Sequence, residues 1–431
     1  MEYIVTEQGK IRRRFRDGYQ EYLGIPFAKP PVGDLRWKRP EKPEPYEAVL
    51  SADHFPDRCM QSPQQGFYLK EFYEDAQFMP PISEDCLYLN IWTPEDAEPG
   101  KNYPVALWIH GGAFMGGFAS EMEFDGEAFA KKGVILVSIQ YRLGIFGFFA
   151  HRELEQENKE HISGNYGIFD QIAAISWVRK NIVSFGGDKD NITICGQSAG
   201  AMSVQTLCSS PLTEGMFTKA ILQSGGSYGS GLHTDRTMEE AETLGSEIME
   251  FLGTTSIEEM RKIPADKLLN GFGMYMKKKL QEAGGFENLQ LPMIPVIDGY
   301  LMGEGYYKTM DAGKLHDIPY LLGSNSEDIP GLTADAVHDF SLKEEEVHGN
   351  PAYIYEFNRQ MPGDDAGAFH SAELWYVFGT YKRCWRPLVS ADAALSERMT
   401  RCWTNFMKTG NPGDGWRKYT KQDPYVKTFD I

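Results

Sequence analysis

The chain reads as an α/β protein with a central, mostly parallel sheet flanked by helices, and two observations predict this class. Nearly continuous apolar runs of strand length alternate with stretches of helical periodicity, the pattern of a sheet covered on both faces. One of those runs ends in "GQSAG", a serine bracketed by glycines where a strand passes into a helix.

Six strand-like runs come in order. They are "YPVALWIHGG" (103–112), "GVILVSIQYRLG" (133–144), "NITICGQS" (191–198), "KAILQSGG" (219–226), "HDIPYLLGSNSED" (316–328) and "NPAYIYEFNRQ" (350–360). Each is rich in β-branched and aromatic residues and is bounded by glycine or polar turn residues. Between the second and third, Ile168, Ile172, Ile175, Trp177, Val178 and Ile182 recur near helical spacing. A second helix is expected over "AMSVQTLCSS" (201–210), directly after the serine. No fixed-period repeat or Gly/Ser linker divides the chain, so residues 1–431 are expected to form a single domain. The Pro-rich stretch 26–46 is expected to be an ordered N-terminal covering segment.

Composition narrows the function. The 431 residues are 42% hydrophobic, 24% charged and 13% aromatic, which suits a globular protein with a sizeable core. Acidic side chains outnumber basic ones by 61 to 43, and the formal charge of −18 opposes binding to nucleic-acid phosphates or anionic lipid. No stretch approaches the roughly 20 apolar residues of a membrane helix, and the first residues contain no apolar core of signal-peptide length. The expectation is a cytoplasmic protein with no nucleic-acid or membrane partner. Six cysteines, none in C-x-x-C spacing, suggest neither a disulfide scaffold nor a zinc site. Asp188 and Asp190 in "GGDKDN" lack the glycine and distal glutamate of a calcium loop, so no metal and no cofactor is expected.

Chemistry is sought at the carboxyl ends of the strands. Ser198 has the strand–turn–helix context of an activated nucleophile, in which side chains at the flanking glycines would strike the neighbouring strand and helix. Such a serine needs a base, and the base an orienting acid, in the order serine, acid, histidine. Of the late histidines, His338 sits in a helix-like run and His348 in a polar one, and both read as solvated surface residues. His370, in a loop of small residues after the sixth strand, is the better base. The acid candidates are Asp298 and the pair Glu327–Asp328, with the pair favoured because it follows the fifth strand directly. Ala199 supplies one backbone donor for an oxyanion, and "WIHGGAFMGG" supplies glycines after a strand that can present more.

These stretches, with "YLGIPFAKPPVGDLRW", "SEDCLYLNIWTP", "VSIQYRLGIFGF", "GNYGIFDQIAAISWVRKNI", "FGGDKDNITICGQSAGAMSV", "GAFHSAELWYVFG" and "CWTNFMKTGNP", resemble the type-B carboxylesterase or cholinesterase-like family of α/β-hydrolases over nearly the whole chain. The resemblance implies an α/β-hydrolase fold. It also implies a serine carboxylic-ester hydrolase acting on small acyl or aryl esters through an acyl-enzyme. Ser198 would be nucleophile and His370 base, with oxyanion donors from Gly112, Ala113 and Ala199. Counted from Gly323, the family's acid falls on Asp328; the glutamate the fold usually supplies would favour Glu327, but only one of two adjacent side chains on an extended segment can meet the imidazole, and position makes Asp328 the expected acid. The family also pairs Cys59 with Cys86, while a reducing cytosol would leave two thiols.

Three departures stand out. Gln197 replaces the usual glutamate before the serine, Ala113 replaces a glycine, and the acid motif is inverted. Only 42 positions separate Asp328 from His370, so the helices that roof the gorge in long members are expected to be missing and the site more open. Two other readings use the same residues: a binding or scaffold protein that kept the fold, which an organophosphonate probe would not label, and an amidase, which matched ester and amide rates would reveal. Trp92, Phe114, Phe118 and "ELWYVFG" are expected to line the approach to the serine.

Overall fold

The computed structural model describes residues 2–229, 235–284, 291–330, 332 and 334–431. A hairpin of β1 (Tyr3–Thr6) and β2 (Gly9–Arg12) opens the chain, and a short parallel pair, β5 (Arg58–Cys59) and β6 (Ile82–Ser83), follows later. Among the described residues the central sheet has ten strands: β3 (Phe15–Arg16), β4 (Tyr19–Pro26), β7 (Tyr88–Pro94), β8 (Tyr103–Ile109), β9 (Ile135–Ile139), β10 (Gly187–Gln197), β11 (Lys219–Gln223), β12 (Tyr320–Asn325), β13 (Tyr353–Phe357) and β14 (Val426–Phe429). Their spatial order is β14-β13-β12-β11-β10-β8-β9-β7-β4-β3. From β14 to β9 every pairing is parallel, and β9–β7, β7–β4 and β4–β3 are antiparallel. The six runs read from the sequence are β8 to β13, the heart of the parallel part.

Burial explains their unbroken apolar character. Alternate residues of one strand enter two different clusters: Val105, Leu107 and Ile109 pack on one face, Ala106 and Trp108 on the other. The helix Tyr166–Asn181 covers the first face with Ile168, Ile175 and Val178, and the helix Ser390–Thr409 covers the second with Met399, Trp403 and Phe406. Arg142, just past β9, gives its backbone N–H and a two-pronged guanidinium to Asp170 of the first helix, at 2.7–3.0 Å. Both side chains are buried, so removing either would strand a charge and cost about 3–5 kcal/mol. In the Pro-rich segment Trp37 is buried with its indole N–H on the Ile145 carbonyl, and Arg36 pairs with Glu84.

All six cysteines are free. Cys59 and Cys86 lie side by side in the core as thiols, with burial first and then Cys59 pushing the Cys86 thiol well up. Among the described residues no helix is long and apolar enough to cross a membrane, and no group of three or more His, Cys, Asp and Glu is placed to hold a metal ion. Asp188 and Asp190 lie at the start of β10, where Asp190 meets Lys189 and Arg179.

Candidate active site

Ser198 sits between β10, a central strand, and the helix Ala199–Ser209, with φ 55° and ψ −126°. A non-glycine residue holds this left-handed region only where its surroundings enforce it. Here the backbone is pinned on both sides: Ser198 N–H donates to Gln223 O at 2.8 Å, and Ser198 O accepts from Met202 N–H at 2.9 Å. A β-carbon on Gly196 would lie 2.4 Å from the Gly200 backbone, and one on Gly200 would lie 2.1 Å from Ile109 O. The flanking glycines are therefore required by strand and helix approach, as the motif predicted.

The glycine loop leaves β8 next to this turn, because Gly196 is in register with Ile109. Gly112 has φ 102°, and Ala113 and Phe114 follow at 55° and 59°. A β-carbon at Gly112 would lie 2.2 Å from Gly116 O. Gln61 clamps the far side of the loop, accepting from Gly117 N–H at 3.0 Å and donating to Gly117 O at 2.9 Å. His110 is buried and stacked on Tyr141, with Nδ1–H on Gly111 O at 2.8 Å. Burial pushes its imidazole down to about 4, so it is a neutral prop for the loop. Among the described hydrogen bonds none takes the N–H of Gly112 or Ala113, and Ala199, first in its helix, has no carbonyl one turn back to donate to.

His370 follows β13 and reaches the same place. Its Nδ1 lies 2.5 Å from Asp328 Oδ1, which fixes Nδ1–H as the donor. Its Nε2 then accepts from the Gln197 amide at 3.1 Å. Asp328 also takes Ser224 Oγ–H at 2.6 Å, Asn325 N–H at 3.0 Å and Ile329 N–H at 3.0 Å. Burial alone would raise its pKa, but the His370 bond and charge and the Asn325 and Ser224 donors outweigh it and hold the carboxyl below its usual range.

Glu327 points the other way. It accepts from Ala368 N–H at 2.8 Å and Gln360 Nε2 at 3.1 Å, and its own N–H meets Ala368 O at 3.2 Å. It fastens the loop that carries His370 without touching the imidazole. Asp298 caps a turn by accepting from the N–H groups of residues 300–302 and also takes Asn165 Nδ2, and it does not line the cavity that holds Ser198 and His370. Neither remaining histidine is the solvated side chain expected: His338 stacks on Tyr419, and His348 bonds Glu344 at 3.0 Å and Gly313 O at 3.1 Å. Packing against β12 and β13 draws the helix Ala334–His348 in.

Ser198, His370, Gly112 and Ala113 share a cavity of about 400 Å³. Its apolar wall differs from expectation. Trp92, Phe114 and Phe118 are core residues, and the lining rings are Tyr68, Phe72, Tyr73 and Phe124, with Leu374 from "ELWYVFG". Residues 62–73 were missed because nothing local in them signals a contact with a loop three hundred residues on, yet the Tyr68 ring lies 6.5 Å from that of His370. Also unforeseen is Glu373, buried behind the histidine loop, whose carboxyl takes Asn325 Nδ2 at 2.8 Å and Gln223 Nε2 at 3.1 Å while burial pushes it up to about 7.

A predominantly parallel sheet with a tight serine turn after a central strand, and partner side chains delivered after the second and third strands beyond it, is the architecture of the α/β-hydrolases. Sequence similarity narrows the class. A profile of the Carboxylesterase family matches residues 2–347 and 333–430. The chain is similar to Para-nitrobenzyl esterase of Bacillus subtilis (strain 168), at 33% identity across 97% of this chain and 93% of that protein. It is likewise similar to Fumonisin B1 esterase of Sphingopyxis macrogoltabida, at 34% identity across 98% and 75%. A solved structure described as a thermophilic PNB esterase superposes with TM-score 0.87 at 30% identity, over 100% of this chain and 96% of its own. The chain belongs to the type-B carboxylesterase family and is a carboxylic-ester hydrolase.

Proposed function

We propose that Ser198, His370 and Asp328 hydrolyse small acyl or aryl esters through an acyl-enzyme. Ser198 Oγ attacks the ester carbonyl carbon as its proton passes to His370 Nε2, which exchanges the Gln197 amide for the serine hydroxyl at that moment. The N–H groups of Gly112, Ala113 and Ala199 hold the oxyanion, each such donor being worth about 10²–10³ in rate. The tetrahedral intermediate collapses, the C–O bond breaks, and the alcohol leaves with the proton from His370. Water, deprotonated by the same nitrogen, then attacks the acyl carbon and releases the acid and Ser198. Asp328 keeps Nδ1 protonated and stabilises the imidazolium. No step calls for a metal or cofactor.

One observation carries this reading: a histidine held by a carboxylate at 2.5 Å lines the cavity that also holds a serine on a strained strand-to-helix turn. The cavity volume and its aromatic lining support small acyl or aryl esters, and the para-nitrobenzyl esterase relative acts, by its name, on an ester whose alcohol carries an aromatic ring. Ser198→Ala is expected to lower kcat on a p-nitrophenyl ester by roughly 10⁶ with an unchanged melting temperature. Near-normal turnover by that variant would remove Ser198 from the mechanism.

A further inference from the structure

The wall of the ester cavity holds a second acidic pair, away from the acid turn. Glu121 and Glu123 both line the cavity and are only 5% and 1% exposed. The chain fixes them in a tight turn after the glycine loop: Phe118 N–H donates to Glu121 Oε1 at 2.8 Å, and Phe124 N–H to Glu121 O at 2.9 Å. The two carboxyls lie within hydrogen-bonding reach of each other. Two buried carboxylates this close do not both ionise, so a proton is held between them. Burial raises both, and the charge of Glu121 raises Glu123 further.

The cations nearby do not finish the job. Arg383 gives its guanidinium to Asp125 and to Met122 O, and Arg58 binds Pro80 O. Tyr73 bonds Glu121 rather than Glu123. Apart from the proton shared with Glu121, the buried Glu123 Oε2 meets no hydrogen-bond donor among the described residues. Leaving a carboxyl oxygen buried and unpaired is unfavourable, and this one belongs to a side chain lining the space a substrate fills.

We propose that the Glu121–Glu123 pair recognises a hydrogen-bond donor, a hydroxyl or a primary ammonium, carried by the ester at a distance from its carbonyl. The proposal rests on the esterase reading above. Tyr68, Phe72 and Phe124 form an apolar stretch of the same cavity that suits an apolar or aromatic spacer between the ester and the donor. With the shared proton between the carboxyls, Glu123 Oε2 is an acceptor for either kind of donor.

Two matched substrate sets test this. The p-nitrophenyl esters of 4-methyl-, 4-(hydroxymethyl)- and 4-(aminomethyl)benzoic acid vary the acyl side, and the acetates of the corresponding benzyl alcohols vary the alcohol side. In at least one set the wild type is expected to favour a donor-bearing ester over the methyl one by about tenfold or more in kcat/KM. Glu123→Leu should abolish or invert that preference. Glu123→Ala, which also removes the acceptor, should do the same and carries the test if the leucine variant does not fold. Equal ratios for wild type and both variants in both sets, with Ser198 still labelled stoichiometrically by an organophosphonate, would overturn the proposal and leave Oε2 to a bound water. Absence of both turnover and labelling in the wild type would instead remove the esterase reading and this inference with it.

Discussion

Glu327–Asp328 and Glu121–Glu123 border the same site, and the fold treats the two pairs in opposite ways. Glu327 and Asp328 are adjacent on an extended turn, so their side chains leave on opposite sides: Asp328 to His370, Glu327 to Ala368 and Gln360. Glu121 and Glu123 are two residues apart, and their carboxyls come together. The second difference is in donors. Asp328 is buried but surrounded by His370, Ser224, Asn325 and Ile329, which favour its charge. Glu123 is as deeply buried and faces another acid, so its proton is retained. Burial alone does not decide ionisation; the local supply of N–H and O–H groups does.

The largest effect expected from this contrast is on the acid turn. Asp328→Asn should lower kcat by about 10⁴, because the amide no longer selects the histidine tautomer with Nδ1–H. Next, Ser224→Ala removes a 2.6 Å donor from Asp328, and should reduce kcat on the order of tenfold while moving the acidic limb of the pH–rate profile upward. A profile unmoved by that substitution would separate Ser224 from the acid.

A third test reads the contrast through stability. The carboxyls of Glu121 and Glu123 are raised above the ordinary 4.5, so their contribution is fully present below that pH and is lost as pH rises through the raised values. Asp328 is lowered below 3.8, so its contribution is present above that pH and is lost only as pH falls through the lower folded value. Thermal melting of Glu123→Gln against wild type should therefore shift in the variant's favour between pH 5 and pH 9. A pH-independent difference would mean that the pair does not retain its proton. The smallest effect should belong to Glu327→Gln, with kcat within about threefold of wild type, since an amide still accepts from Ala368 N–H and the imidazole is untouched.

The legible parts of the molecule were those whose chemistry is local in sequence. The serine turn announces itself because Gly196 and Gly200 have no room for a β-carbon, and strands β8 to β13 because both their faces are buried. The choice of Asp328 over Glu327 followed from side-chain alternation on an extended turn, once the position was fixed by resemblance. Strands β3, β4 and β7 were not read: β3 has only two residues, and polar residues interrupt the apolar run of β4 (YQEYLGIP) and of β7 (YLNIWTP). Long-range contacts were likewise silent: the rings of residues 68–73, the Asn325–Glu373–Gln223 cluster, and the amide of Gln197 on His370 Nε2 all depend on tertiary placement. The departure at Gln197 was visible in the sequence, but its contact with the base was not.

The central claim is that Ser198 carries the acyl group. Acid quenching during turnover of a p-nitrophenyl ester, followed by intact-mass and peptide mass spectrometry, tests it most directly. The expected result is a burst of p-nitrophenol and a stoichiometric acyl adduct on the peptide containing Ser198, absent from Ser198→Ala. An adduct on another residue, or steady turnover with no adduct in the presence of a burst, would contradict it.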